Sequence, residues 1–273
     1  MHCGTSEHRL ENPVKTRSVS MLAHVTQRWR AVAGKLSTLL WLFLAAPALA
    51  VDGTALLQQV DRKLEPESYE MVRKLVNIEP DGSRKEFVLY SVKKGKDRIA
   101  ALFLDPASDR DRATLRLGEN MWLYIPSVGK PMRITSLQSV TGGIFNNADI
   151  LALEFSVEYT VEKVVEDEAA YTLSLKARTV EVAYDRLTMK VDRKTTLPVS
   201  IDCYAASGLL IKTLTYKDIK DFGGGIKRPA TLETQSPLQK GYKSLMLYGS
   251  IKARKVADEV FTLEYLPRIK ELR

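Results

Sequence analysis

The sequence predicts a mainly β fold, a strongly curved antiparallel sheet with little helix, and three observations carry that prediction. From Tyr69 onward apolar residues recur at every second position through roughly a dozen segments, the periodicity of strands. Turn chemistry such as Pro80-Asp81-Gly82 and Lys94-Gly95 separates the early segments, and tight turns join antiparallel neighbours. Only one stretch ahead of them has clear helical spacing. So many strands need more cover than one helix gives, so the sheet must curl, either on itself or around a cavity.

In chain order, residues 1–50 differ in kind from the rest. Arg28, Arg30 and Lys35 precede an apolar run from Leu36 through Trp41, Phe43 and Leu44, which ends in Ala48-Leu49-Ala50 before Val51. A basic start, a short apolar stretch and a small-residue cleavage site make a secretory signal peptide, with Met21 a more ordinary first residue for it than Met1. The run falls short of the roughly 20 residues that span a bilayer comfortably. An uncleaved anchor is the alternative reading. Residues 51–273 are expected to form one domain.

Removing that segment changes the inventory of reactive groups. His2, His8, His24 and Cys3 all lie within it, so the chain from Val51 onward has no histidine and one cysteine, Cys203. Histidine-dependent nucleophile systems and histidine zinc sites are thereby excluded, as is an internal disulfide. The whole chain has 41 Lys and Arg against 33 Asp and Glu, of which the first fifty residues hold six and two, so the remainder balances at +4. Its cations are scattered along strands rather than massed with stacking aromatics, which gives no support to nucleic-acid binding.

Thr54 to Leu64 places Leu56, Leu57, Val60 and Leu64 on one helical face, and Pro66 ends that helix. Strands are predicted at Tyr69–Ile78, Glu86–Val92, Arg98–Leu104, Thr114–Leu117, Met121–Ile125 and Met132–Thr135. Beyond a softer segment come Val157–Lys163, Tyr171–Ala177, Leu187–Val191, Val199–Tyr204, Leu209–Tyr216, Ala230–Thr234 and Lys243–Lys252, then a helical turn at Ala257–Phe261. Several early strands are apolar on both faces. In Met121 to Ile125, Met121, Leu123 and Ile125 point one way and Trp122 and Tyr124 the other, so both faces need cover from protein or ligand.

Leu137 to Leu153 is the candidate lid. Asn147 can cap a short helix carrying Ile150, Leu151 and Leu153, and Gly142-Gly143 gives backbone freedom ahead of it. A mobile cover over an apolar face is a gate; a helical crossover packed permanently on the sheet is the other reading.

Together the signal peptide, the helix, the meander and Trp122-Leu123-Tyr124-Ile125-Pro126-Ser127-Val128 followed by an interrupted helical segment resemble the LolA-like outer-membrane lipoprotein-sorting family. The resemblance implies an unclosed antiparallel half-barrel whose N-terminal helix and short lid helix cover an apolar cavity for acyl chains. The chain is longer than the best-studied carriers, by hairpins around Glu166-Asp167-Glu168 and Phe222-Gly223-Gly224-Gly225. The expected function is a periplasmic carrier, not an enzyme, that moves the acyl chains of lipoproteins or other lipids between the inner and outer membranes of a Gram-negative bacterium. Expected partners are that lipid, an inner-membrane lipid exporter and an outer-membrane acceptor, with transient membrane contact. The alternative is an envelope sensor or exporter-associated module that uses the same concave face for a protein partner.

Cavity and lid candidates are Phe103, Trp122, Tyr124, Met132, Ile134, Ile144, Phe145, Ile150, Leu151, Met246 and Tyr248, each of which ordinary core packing would also explain. Arg98 and Arg133 are candidates for the cavity arginine that latches the lid in the family. Asp105, Asp109 and Asp111 invite calcium by spacing, but the run lacks the glycine and closing glutamate of an EF-hand loop. Gly223-Gly224-Gly225 has no Gly-Lys-Ser/Thr after it and is no phosphate-binding loop. No metal and no cofactor are expected.

Overall fold

The computed structural model describes residues 51–273, which form one compact unit. The expected signal peptide, with its alternative start at Met21, lies outside the described residues. Helix α1 (Gly53–Leu64) starts where Asp52 accepts hydrogen bonds from the Thr54 and Ala55 amides at 2.9 and 3.1 Å. It buries Leu56, Leu57, Val60 and Leu64 along one face, carries Arg62 and Lys63 in its last turn, and ends at Glu65, ahead of Pro66.

Thirteen strands follow: β1 (Ser68–Ile78), β2 (Arg84–Lys94), β3 (Arg98–Asp105), β4 (Ala113–Leu117), β5 (Asn120–Tyr124) and β6 (Pro131–Ile134), then β7 (Tyr159–Glu166), β8 (Ala170–Ala177), β9 (Arg186–Asp192), β10 (Pro198–Tyr204), β11 (Leu210–Asp221), β12 (Lys227–Gln235) and β13 (Lys243–Ala253). They make one sheet in the order β6-β5-β4-β3-β2-β1-β13-β12-β11-β10-β9-β8-β7. Each half is a meander. The pairing of β1 with β13, from Tyr69 opposite Ala253 to Ile78 opposite Lys243, joins the first strand to the last. The two edges, β6 and β7, do not pair with each other, so the barrel is unclosed. Because β6 and β7 are consecutive in sequence, the chain between them has to cross the open face.

That crossing contains two one-turn helices, α2 (Asn147–Ile150) and α3 (Phe155–Glu158). Two expectations are corrected here. The cap of α2 is Asn146 rather than Asn147, because only Asn146 has an acid three positions on: its side chain accepts from the Asp149 amide at 3.1 Å and Asp149 accepts from the Asn146 amide at 2.9 Å. Asn147 instead donates to the Thr135 carbonyl at 2.8 Å. Val157 and Glu158, expected in a strand, belong to α3, and β7 begins at Tyr159. The cause is remote in sequence: the Asp61 carboxylate on α1 accepts from the Phe155 and Ser156 amides at 2.8 and 2.9 Å, stabilising a helical start that local periodicity does not reveal.

The sheet has a core on each face. The concave core joins Leu75, Phe87, Leu89, Ile99 and Phe103 of the first half to Leu173, Leu187, Met189, Ile201, Leu214 and Met246 of the second, under α1 and the crossing segment. The convex core covers β2 to β4 with Val256, Val260, Phe261, Leu266 and Ile269 of the C-terminal segment, whose 3-10 turns run Asp258–Phe261 and Leu266–Leu272.

Candidate functional site

The crossing segment sits over the concave face, and side chains reach it there from strands on both halves of the sheet. Of the residues singled out from the sequence, Phe103, Phe145, Ile150, Leu151 and Met246 are buried in the concave core, while Ile134 and Tyr248 pack partly buried against it. Ile144 is buried, its amide donating to Ser244 Oγ at 3.0 Å and its carbonyl accepting from Lys212 Nζ at 2.6 Å. Met132 is half-buried on edge strand β6, opposite Leu123.

Trp122 and Tyr124 lie on the other side of the sheet, in the convex cluster beneath the C-terminal segment. Strand parity requires this once Met121 is fixed in the concave core. The cover for the two-faced strand β5 on that side is therefore protein. Arg98 and Arg133 follow the same parity. Arg98 pairs with Asp258 of the C-terminal segment, and the Arg133 guanidinium stands 5.2 Å from the Trp122 ring centroid, so both act on the convex side.

Three buried cations, Arg73, Arg116 and Lys212, hold the crossing segment, none of them picked out by sequence reasoning, and half-buried Arg112 adds a hydrogen bond to the Val140 carbonyl at 3.0 Å. Arg73 donates to the Ile150 carbonyl and to Ser91 Oγ at 3.3 Å. Arg116 donates to the Leu151 carbonyl at 3.0 Å and pairs with Glu158. Lys212 also pairs with Asp149 Oδ2 at 2.6 Å, and Tyr184 adds a hydrogen bond to Asp149 Oδ1 at 2.9 Å. Three backbone carbonyls of the crossing segment, at Ile144, Ile150 and Leu151, are thus received by three buried cations projecting from β1, β4 and β11. Each is a charge-assisted hydrogen bond in a site of low dielectric. The sequence carries a signal for Arg73, which stands in period with Met71 and Leu75, whereas Arg116 is placed inward by its strand pairing opposite Met121.

A second polar cluster closes the end of the concave face where α1 stops. Lys93 Nζ lies 3.2 Å from Glu65 Oε2, Arg228 Nη1 lies 3.5 Å from Glu65 Oε1, and Tyr69 donates to Glu65 at 2.8 Å. Burial by itself raises the Glu65 carboxyl, but the Lys93 and Arg228 charges and the Tyr69 hydrogen bond outweigh it and hold the group below the ordinary range. Asp61 goes the other way, because burial outweighs its hydrogen bonds from α3. Burial also pushes the Cys203 thiol well up, which removes it as a nucleophile. Asp109 of the aspartate run is paired with Arg112.

Between the crossing segment and strands β9 to β12 a small cavity of about 80 Å³ remains, lined by apolar side chains such as Leu153, Leu187, Ile201 and Leu232 and by the charged residues Asp61, Glu65, Asp149, Glu154, Glu158 and Arg228. Ligand pockets are commonly about 300 to 1,000 Å³, so the concave face is closed as it stands. Among the described residues no cluster of metal-ligating side chains occurs, and no helix is long and apolar enough to cross a membrane.

The comparisons with known proteins agree with this architecture. A family model that bears the description "-like: Uncharacterized protein" matches residues 95–268. No curated protein matches the sequence. Among solved structures, a LolA superfamily protein from Nitrosomonas europaea superposes with a TM-score of 0.72 at 25% identity, covering 79% of this chain and 100% of its own. A candidate outer membrane lipoprotein-sorting domain from Vibrio parahaemolyticus gives 0.68 at 18% identity, covering 79% of this chain and 98% of its own. A DUF1329 family protein from Desulfovibrio piger gives 0.68 at 19% identity, covering 78% of this chain and 97% of its own. With the family model matched over residues 95–268 and the backbone superposing on a LolA superfamily protein with a TM-score of 0.72, the chain belongs to the family of that model and carries the LolA-like fold.

Proposed function

We propose that this chain is an acyl-chain carrier of the cell envelope, exported by residues 1–50 to the periplasm, where it shields the tails of a lipoprotein or another lipid on their way between the two membranes. The observation that carries the reading is the way the crossing segment is attached. It covers an apolar concave face and is held by hydrogen bonds from Arg73, Arg116 and Lys212 to its own carbonyls. The cover is held both by these polar points and by Phe145, Ile150 and Leu151 buried on the face beneath; when it lifts as a unit, an acyl chain takes the place of those apolar side chains.

The energetics favour such a cargo. Burying an acyl chain of about 15 methylenes gains on the order of 12 kcal/mol at ~0.8 kcal/mol per CH₂. That gain is large enough to offset a few latching hydrogen bonds, each worth about 1.5–3 kcal/mol when charged. The cavity of about 80 Å³ is too small for the chain, so entry requires the crossing segment to move. Phe103, Phe145, Ile150, Leu151 and Met246 are then the lining of the opened space. The carrier takes its cargo from an exporter in the inner membrane and gives it to an acceptor in the outer one, touching each membrane transiently. Such work requires no catalytic group.

Native mass spectrometry of the protein purified from the periplasm, followed by organic extraction, tests the reading. A discrete added mass that extracts as a lipid or acylated peptide is the expected result. A clean protein mass with a stable protein partner in its place would overturn it.

A further inference from the structure

At the end of the half-barrel where α1 stops, an open groove of about 800 Å³ lies between the last turn of α1, the β9–β10 turn at Thr195 and the β11–β12 hairpin at Ile226. Three cations line it, Arg62, Lys63 and Lys227, and none has an ion-pair partner among the described residues. The other feature of the groove is its position. Glu65 lines both this groove and the internal cavity. On either side of that shared wall, successive residues divide between the two spaces: Lys63 faces the groove and Leu64 the cavity, Lys227 the groove and Arg228 the cavity. The Glu65 carboxylate is engaged inward by Lys93 and Arg228, which leaves the groove cations without a counter-charge.

The Phe222–Ile226 turn packs Phe222 and Ile226 onto Tyr69, Met71 and Ile251 at this end of the sheet. Its three central residues, Gly223, Gly224 and Gly225, all have positive φ and open space where a side chain would stand, and the turn is closed by the Phe222 amide donating to the Ile226 carbonyl at 2.9 Å and the Gly223 amide donating to Asp221 Oδ1 at 2.8 Å. A cationic groove and an apolar cavity separated by one wall have the layout of a site for a molecule with an anionic head and an apolar tail.

We propose that the groove of Arg62, Lys63 and Lys227 binds the phosphodiester headgroup of an anionic lipid whose acyl chains enter the space that opens beyond Glu65 when the crossing segment lifts. This rests on the carrier reading and narrows its cargo to a phosphate-bearing amphiphile. Guanidinium and ammonium groups suit phosphate oxygens, and these three are exposed and so accessible to a headgroup.

Calorimetric titration of the delipidated full protein tests this with three probes: dihexanoyl-phosphatidylglycerol, neutral dihexanoylglycerol and inorganic phosphate. The phospholipid is expected to bind about tenfold more tightly than the neutral lipid, and the variant Arg62→Glu/Lys63→Glu/Lys227→Glu to lose that preference. On the unaltered protein, raising salt from about 50 to about 500 mM should weaken phospholipid binding and leave the neutral lipid unchanged, a measurement independent of whether the variant folds. Equal affinity for the two lipids, insensitive to salt and to charge reversal, overturns the headgroup site while the carrier reading stands. Inorganic phosphate binding as tightly as the phospholipid overturns it in favour of a free-anion site. If neither lipid binds, the carrier reading falls and this proposal with it.

Discussion

Lys212 Nζ lies 2.6 Å from Asp149 Oδ2, with the two side chains only 3% and 4% exposed. This pair ties β11 to the short helix of the crossing segment, and its members have other work: Asp149 completes the capping box with Asn146, and Lys212 receives the Ile144 carbonyl. A buried pair of this kind is costly to break and cheap to replace, because a lone charge keeps its desolvation cost and loses its compensation. Lys212→Met is therefore expected to destabilise the protein by about 3–5 kcal/mol in urea unfolding, and Lys212→Met/Asp149→Asn by clearly less than that single change. A double variant whose loss equals the sum of the losses of Lys212→Met and Asp149→Asn would show that the pair is not coupled.

Arg73 fastens the other end of the same helix through the Ile150 carbonyl. Arg73→Met keeps the apolar stem and removes the donor. Hydrogen exchange is expected to speed up over residues 144–151 while β8 to β10 keep their protection, with a stability loss of about 1.5–3 kcal/mol. Unchanged exchange in the crossing segment would mean that Arg73 does not hold it.

Gly143 has φ +68°, and a Cβ built there would sit 2.1 Å from Asn77 Oδ1. Asn77 cannot simply retreat, since it donates to the Thr141 carbonyl at 3.1 Å and accepts from Ser244 Oγ at 2.8 Å. Gly142 shares the left-handed backbone, at φ +69°, but faces open space. Gly142→Ala should cost about 1 kcal/mol, from backbone strain alone. Gly143→Ala should cost at least twice as much and loosen the crossing segment, measured as the difference in unfolding free energy between the two variants.

The acid limb of the stability profile should depend on Glu65. Its carboxyl is depressed in the folded protein below its ordinary value of 4.5, because Lys93 and Arg228 outweigh burial. A depressed acid contributes stability that is fully present above pH 4.5 and is lost as pH falls through the folded value. Glu65→Gln should therefore lower stability at pH 7 and flatten the decline below about pH 4.5, read from urea midpoints across that range. A parallel downward shift at every pH would assign the carboxylate no linkage.

Much of the scaffold was legible in the sequence because strand and helix periodicity are local. Leu56, Leu57, Val60 and Leu64 announce α1, and alternating apolar residues announce nearly every strand to within a few positions. The crossing segment between β6 and β7 was visible as a softer stretch with an asparagine cap, one residue off. What failed to show locally was α3, whose cap comes from Asp61 nearly a hundred residues earlier.

The sequence alone therefore determined the element order, the curl of the sheet and the presence of a cover, since each follows from spacing along the chain. Which face is concave was left to the tertiary structure. Period-two strands such as β5 are apolar on both sides, and only the pairing of β1 with β13 and the docking of the C-terminal segment assign Trp122 and Tyr124 to the convex side. The same assignment made Arg73, Arg116 and Lys212 the buried donors to the carbonyls of the cover, because the partner that a cation meets is set by what the fold brings across from it.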